Sequence, residues 1–263
     1  MELVVAGLKT YAYTGGTPFD PARPAVVFVH GAANDHSVWA LQSRWFGRHG
    51  HAVLAVDLPG HGRSEGDALA GIDAIADWIV ALLDAAGIER AMLVGHSMGA
   101  LACLDAAARH PQRVSTLALI GCAAPMPVAE GLLNAARDDP ERAYRMINQW
   151  SHHPSSLLGG HPVPGLWMAG AGIALMRRSR PGVLHRDLLN CNEYADGTIA
   201  AASIACPTLL LVGQRDLMTP PAAGLALADA IVGSQVVRIE RCGHAMMSEQ
   251  PDAVLDALMA ASG

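Results

Sequence analysis

Ser97, Asp216 and His244 are the residues of this chain whose types and surroundings could do nucleophilic chemistry. Serine is a poor nucleophile unless a base takes its proton and a third group orients that base. Ser97 stands in "VGHSMGA", between Gly95 and Gly99, directly after an apolar run and before a helix-forming stretch. Flanking glycines allow a tight turn with strained backbone angles, which lifts the hydroxyl clear of the chain. The five-residue pattern by itself carries little. With 27 glycines and 13 serines in 263 residues, chance supplies Gly-x-Ser-x-Gly in roughly one such chain in eight. A serine here could equally cap the helix that follows.

The surrounding elements decide between these readings. Nearly continuous apolar runs rich in Val, Ile and Leu occur at 25–30, 52–57, 91–96, 114–121, 207–213 and 234–240. Strands buried on both faces of a parallel sheet have this composition. Between them, 72–87 repeats Ile72, Ile75, Ile79, Leu82, Leu83 and Ala86 at helical spacing, with Gly87 as a stop. Stretches 98–110, 221–232 and 249–261 show the same pattern. The alternation predicts an α/β fold, a mostly parallel central sheet with helices on both faces. The first 14 or so residues alternate more and fit an antiparallel edge pair. One connection breaks the rhythm: about 85 residues separate Gly121 from Pro207, where an ordinary connection has ~2–6. This Pro- and Gly-punctuated stretch is expected to be a helical cap, 123–204, inserted in a core made of 1–122 and 205–263.

Open parallel sheets bind ligands at the carboxyl ends of their strands. Few polar residues fall there: His30, Asp57, Ser97, Asp216 and His244. Of the 12 histidines, His244 follows the last strand in "RCGHAMMSEQP", on the same sheet edge as Ser97. "SEQP" then opens a helix, with Ser248 as the expected cap and Pro251 in the first turn. Asp216, in "LLLVGQRDLMTPP", is either the orienting acid or an ordinary turn aspartate. The rival acid position, after 114–121, reads Gly121-Cys122-Ala123 and holds no carboxylate. Asp57 sits among the Pro-Gly and Gly residues of "VDLPGHGRS" and is expected to organise that bend. The chain order Ser97, Asp216, His244 is the one such a topology requires of a Ser-Asp-His triad.

On these residues the chain resembles the α/β-hydrolase superfamily, in particular its small, capped, esterase-like and lipase-like members. The matching segments run the whole length: "VFVHGAANDHSVW" (27–39), "VDLPGHGRS" (56–64), "LVGHSMGA" (93–100), "LVGQRDLMTP" (211–220) and "CGHAMMSEQP" (242–251). The resemblance implies Ser97 as nucleophile, Asp216 as acid and His244 as base. It also implies the backbone N–H groups of Ala32 and Met98 as the oxyanion hole. Met98 opens the helix, where amides are unpaired and the dipole favours negative charge. Ala100 stands where many members carry a second glycine. Serine at position 97 argues against the dehalogenase and epoxide-hydrolase members, whose nucleophile is aspartate.

Specificity is then expected from the cap and from Ala32–Trp39. The candidate substrate contacts are His30, Trp39, Trp150, Trp167 and Met168; at helical spacing the cap residues among them read as core, and those that face the site imply an apolar acyl or alcohol side on the substrate. Cap histidines His152, His153 and His161 lack a Cys or carboxylate at supporting spacing and read as surface or packing residues rather than metal ligands. The mechanism requires no metal and no cofactor. A net charge of −6 offers no footprint for nucleic acid. The five cysteines show no Cys-x-x-Cys spacing and suit a reducing compartment. Without a signal peptide or an apolar stretch near the ~20 residues of a membrane span, the chain reads as soluble and cytoplasmic. The expected activity is hydrolysis of a carboxylic ester, with thioesters and lactones as variants. C–C bond hydrolysis, acyl transfer and perhydrolysis on the same triad are alternatives, and a non-catalytic binder on this scaffold is the third reading.

Overall fold

Runs of Val, Leu and Ile that offer no face to water become the middle of a sheet. The structure, a computed structural model, describes residues 1–157 and 166–262. Eight strands among the described residues form one sheet: β1 (Glu2–Val5), β2 (Leu8–Tyr13), β3 (Ala25–Val29), β4 (Ala52–Val56), β5 (Ala91–His96), β6 (Val114–Ile120), β7 (Thr208–Gly213) and β8 (Gln235–Ile239). Their spatial order is β1-β2-β4-β3-β5-β6-β7-β8. β1 and β2 form the antiparallel edge pair and β2 joins β4 antiparallel; every other pairing is parallel.

The helices among the described residues are α1 (Ala40–Arg48), α2 (Ile72–Ala85), α3 (Met98–Arg109), α4 (Glu130–Asp138), α5 (Pro140–Ser151), α6 (Pro154–Leu157), α7 (Met168–Met176), α8 (Val183–Glu193), α9 (Gly197–Ala202), α10 (Pro221–Ala230), α11 (Met246–Glu249) and α12 (Pro251–Ala261). The pleat sends alternate side chains to opposite faces. Val27, Val29, Leu54, Leu93 and Leu119 pack under α2 and α3. Val26, Phe28, Val53, Val94 and Ile120 meet Phe46 of α1 and Val254 and Leu258 of α12. No periodicity announces α1, because its buried face is Gln42, Ser43, Phe46 and Gly47.

All the helices from α4 to α9 lie between β6 and β7. α4, α5, α7 and α8 share a small apolar core of their own, with Leu132, Ala136, Tyr144, Met176, Leu184 and Leu188. Ala33, from the loop after β3, is buried in that same cluster. α9 packs on α3 and α10 instead, and its Ala200 and Ala201 join the main core. One cap expectation fails at the last helix. Gln250 holds the N-cap position of α12 and Pro251 its first turn, while Ser248 lies inside α11 and donates to the Ala245 carbonyl. Four cysteines are buried, Cys206 is half-buried, and all five are free thiols.

Phe28 is fully buried at the centre of the sheet, its ring 5.2 Å from that of Trp39 and 5.8 Å from that of Phe46. Phe28→Ala should therefore cost about 3–5 kcal/mol, transfer plus cavity. Urea unfolding should show this as a lower midpoint with an unchanged m-value.

Candidate active site

Strand order dictates where a site can form. β4 lies on one side of β3 and β5 on the other, so the connections leaving the carboxyl ends of β3 and β5 diverge and open a crevice. Ser97 stands at that point, between β5 and α3. Its backbone is strained, with φ 52° and ψ −118°, a conformation costing of order 1–3 kcal/mol for a non-glycine residue. The flanking glycines are required sterically. A Cβ at Gly95 would come 2.6 Å from the Ala100 Cα, and one at Gly99 would strike the carbonyl oxygens of Val29 and His30. Ser97 makes no side-chain capping bond to α3, so the capping role is not the one its hydroxyl plays.

His244 follows β8 and shares the cavity with Ser97. Its Nδ1 donates to Asp216 Oδ2 at 2.7 Å. Asp216 follows β7 and is 1% exposed. Its other oxygen accepts the Met218 and Thr219 N–H groups, both at 2.8 Å, and the Thr219 hydroxyl reaches Oδ2 at 2.8 Å. Burial by itself would raise the Asp216 carboxyl. The charge and hydrogen bond of His244, with the Thr219 donors, outweigh it and hold the group below the usual 3.8. Gly121, at φ 57°, makes the room: a Cβ there would sit 3.0 Å from the His244 ring. The end of β6 thus holds space for the imidazole, and the carboxylate comes from β7.

Two backbone anchors fix the His244 loop. The N–H groups of His244 and Ala245 both donate to the carbonyl of Ser151, at the end of α5, at 2.7 and 2.9 Å. Buried Glu249 accepts the Gly243 N–H at 2.6 Å and the His153 N–H at 2.7 Å. His96 donates through Nε2 to the His244 carbonyl at 3.0 Å. Burial, then the neighbouring His244, push His96 down to about 3, so it is a neutral hydrogen-bonding group.

Above Ser97 lies a cavity of about 810 Å³, walled in part by α4, α5, α7 and α8. Its walls include Met126, Leu132, Ile147, Leu175 and Met176. Ala32 and Ser97 line it together with His244. Met98 provides the first amide of α3, which has no acceptor inside the helix. Of the five expected substrate contacts, Trp150 and Met168 line the cavity. The other three do not. Trp39 is fully buried against Phe28 in the core, because it opens α1 facing the sheet. Trp167 is 71% exposed, its indole lying over Gly170 on the outside of α7. His30 lies beneath the site, where it accepts the Leu58 N–H at 3.2 Å and so donates through Nδ1 to the Gly31 carbonyl at 2.8 Å. Burial, then the nearby His61, lower His30 to about 4.

Residues 24–251 match the sequence pattern of the alpha/beta hydrolase fold family. The chain belongs to this family. It is 32% identical over 240 residues to a 2-hydroxy-6-oxononadienedioate/2-hydroxy-6-oxononatrienedioate hydrolase of Cupriavidus pinatubonensis, covering 83% of this chain and 80% of that one. It is 31% identical over 240 residues to a pimeloyl acyl-carrier-protein methyl ester esterase of Neisseria meningitidis, covering 84% and 86%. The crystal structure of the enol-lactonase from Burkholderia xenovorans superposes with a TM-score of 0.80 at 26% identity, over 99% of this chain and 98% of that one.

In this alpha/beta hydrolase, Asp57 organises its bend as expected, accepting the His36 N–H at 2.8 Å and ring nitrogen at 2.7 Å, and the Arg63 N–H at 2.8 Å. Asp35, His36 and Asp57 cluster closely enough to share a cation. Their atoms are already engaged: Asp35 caps the turn at Ser37 and pairs with Arg178 at 3.2 Å. His152 donates to the Asn148 carbonyl, and His153 accepts from Ser155; His161 lies outside the described residues. No helix among the described residues is long and apolar enough to cross a membrane.

Sequence reasoning missed Thr219, Glu249, His61 and Asp187. Only Thr219 carried a local signal, since Asp-x-x-Thr before a Pro-rich helix start is a turn pattern in which the carboxylate takes nearby N–H groups. Glu249 reaches Gly243 six residues away as well as distant His153, while His61 and Asp187 act across a distance of chain that no spacing reveals. The buried pair His61–Asp187 spans 126 residues at 2.8 Å. Burial would lower His61, but the charge and hydrogen bond of Asp187 outweigh it, and the net direction is upward.

Because the Asp216 carboxyl is held below its unfolded value, its stabilisation is complete above about pH 4 and is lost as pH falls through the folded value. Wild type should melt a few degrees above Asp216→Asn at pH 7, and the gap should shrink as pH falls below about 4 through the folded value. A pH-independent gap in thermal melts would show that ionisation of Asp216 contributes nothing to folding.

Proposed function

We propose that this alpha/beta hydrolase cleaves neutral carboxylic esters through Ser97, with His244 as general base and acid and Asp216 as the group that orients it. The observation that carries this reading is a convergence. A strained, uncapped serine and a histidine held at 2.7 Å by a buried, ionised aspartate open into one apolar cavity. Because Nδ1 of His244 donates to Asp216, Nε2 is left with its lone pair available toward the cavity.

The chemistry follows from these atoms. Nε2 of His244 removes the hydroxyl proton as Ser97 Oγ attacks the ester carbonyl carbon. The oxyanion of the tetrahedral intermediate is held by the N–H groups of Ala32 and Met98, a class of donor worth about 10²–10³ in rate. The imidazolium then protonates the leaving alkoxide oxygen as the C–O bond breaks, leaving acyl-Ser97. Water gives its proton to His244, attacks the acyl carbon, and the acid departs as Ser97 takes the proton back. Asp216 stays ionised throughout and stabilises the imidazolium.

Cavity chemistry supports a neutral substrate. The Cupriavidus relative is named for a dioate, which carries two carboxylates. Among the described residues lining this cavity, Arg178 is the sole Lys or Arg, and its guanidinium is engaged by Asp35. A buried carboxylate would lack the paired cation it requires. The methyl ester esterase of Neisseria supports the reaction type, and thioesters and lactones fit the same atoms.

The test is turnover of p-nitrophenyl butyrate and stoichiometric labelling of Ser97 by a fluorophosphonate, read by mass spectrometry. Ser97→Ala and His244→Ala should each lower kcat by about 10⁴-fold or more, and Asp216→Asn by orders of magnitude, without loss of fold. A monoester of a dicarboxylic acid should be hydrolysed at least about 10-fold less efficiently than its neutral isostere, since each lost charge pairing is worth more than 1.4 kcal/mol. Folded wild-type protein that takes no label and turns over no ester overturns the proposal; a preference for the dicarboxylic monoester overturns the assignment of a neutral substrate.

A further inference from the structure

The loop after β3 carries a conformation that its own sequence does not favour. Asn34 N–H closes a turn on the Gly31 carbonyl, and within it Ala33 is held at φ 53°. Glycine or asparagine takes that conformation readily, whereas a Cβ makes it costly. Such strain persists where the surroundings over-determine it. Here the surroundings are two side chains of the insertion. Asp187, on α8, accepts the Ala33 N–H at 2.8 Å, and Ser179, between α7 and α8, donates to the Ala33 carbonyl at 3.1 Å. Both polar groups of one strained residue are therefore bound from across the cavity wall.

Asp187 is itself locked. The same Oδ2 that takes the Ala33 N–H accepts from His61 Nε2 at 2.8 Å, and His61 Nδ1 faces the Pro59 carbonyl at 2.9 Å. With an acceptor on each ring nitrogen, His61 satisfies both only when both carry protons. The carboxylate and the imidazole are 1% and 2% exposed. A buried charged pair is costly to keep unless it is fully hydrogen-bonded, and this one is built around the peptide that follows Ala32. Arg178 and Asp35 add an outer contact between the same two segments at 3.2 Å.

We propose that Asp187 is a positioning residue: with Ser179 it holds the Gly31–Asn34 turn, and so aims the Ala32 amide at the developing oxyanion, making that pocket dependent on the seating of α8. This rests on the ester-hydrolase reading of Ser97. The donor's direction is then set by the insertion and not by the sheet, so α8 bears on the transition state as well as on the cavity wall.

The test compares Asp187→Ala, Asp187→Asn and Ser179→Ala with wild type by kcat and KM on p-nitrophenyl butyrate, and by hydrogen exchange of the peptide covering 31–35. Asp187→Ala should lower kcat by about 10–100-fold with KM within about threefold, because a misaimed oxyanion donor weakens the transition state alone. Exchange in the peptide should rise. Asp187→Asn keeps an oxygen for the Ala33 N–H and should recover most of both readouts. Ser179→Ala, a milder change should Asp187→Ala fail to fold, should move both in the same direction by less. Folded Asp187→Ala or Ser179→Ala protein with wild-type kcat, or with a lower kcat and unchanged exchange, overturns the proposal. A wild type without turnover or fluorophosphonate label sinks the ester-hydrolase reading, and with it the oxyanion role. Loop exchange still raised in Asp187→Ala would then support only the holding of the turn.

Discussion

Where α3 begins, its first turn lies so close to the end of β3 that a side chain at position 99 would occupy the carbonyl oxygens of Val29 and His30. That contact ties the Ser97 turn to the loop carrying Ala32. Ser97 itself takes a backbone region that serine avoids, and the strain is tolerable because β5 is hydrogen-bonded on both sides, to β3 and to β6. A turn anchored in the middle of a parallel sheet does not relax without breaking the ladder. The hydroxyl is held off the helix end and turned to the cavity for that reason.

The other side of the cavity is held by the insertion. The carbonyl of Ser151 takes two N–H groups of the His244 loop, and Asp187 with Ser179 takes both polar groups of Ala33. The insertion is therefore joined to the core by hydrogen bonds at the loops after β3, β4 and β8, the β4 loop through Arg180, Asp187 and Asn190, besides the apolar packing around Leu132 and Leu188. Apolar packing is non-directional and sets a volume. Hydrogen bonds to backbone groups set orientations, and an acyl-transfer site depends on orientation.

On the proposed reading, the apolar walls and the single Arg among the described lining residues select against charged substrates more firmly than for any one neutral acyl group. The polar groups near Ser97 are committed to one another: Asp216 to His244 and Thr219, Glu249 to Gly243 and His153, His96 to the His244 carbonyl. Among the polar residues lining the cavity, Asn148 keeps a buried Oδ1 without a partner among the described residues, and apolar contact discriminates by only about 1–3 kcal/mol per methylene.

The fold and the three central residues were legible because they rest on local patterns. A strand buried on both faces must be apolar throughout, and a tight turn at Ser97 needs glycines on either side. Asp216 and His244 could be placed because strand ends in a parallel sheet share one edge. Trp39, Trp167 and His30 were misplaced for one reason: a residue type says that a side chain is apolar or polar, not which way its element turns it. α1 left no signal, since its buried face is mostly polar or small. Asp187 and His61, 126 residues apart, were out of reach altogether. The sequence by itself determined what must be buried and where the chain must bend, because burial and backbone strain are properties of single residues. Only the tertiary structure decided which carboxylate meets which amide across the cavity, because a hydrogen bond between distant segments depends on the position of both.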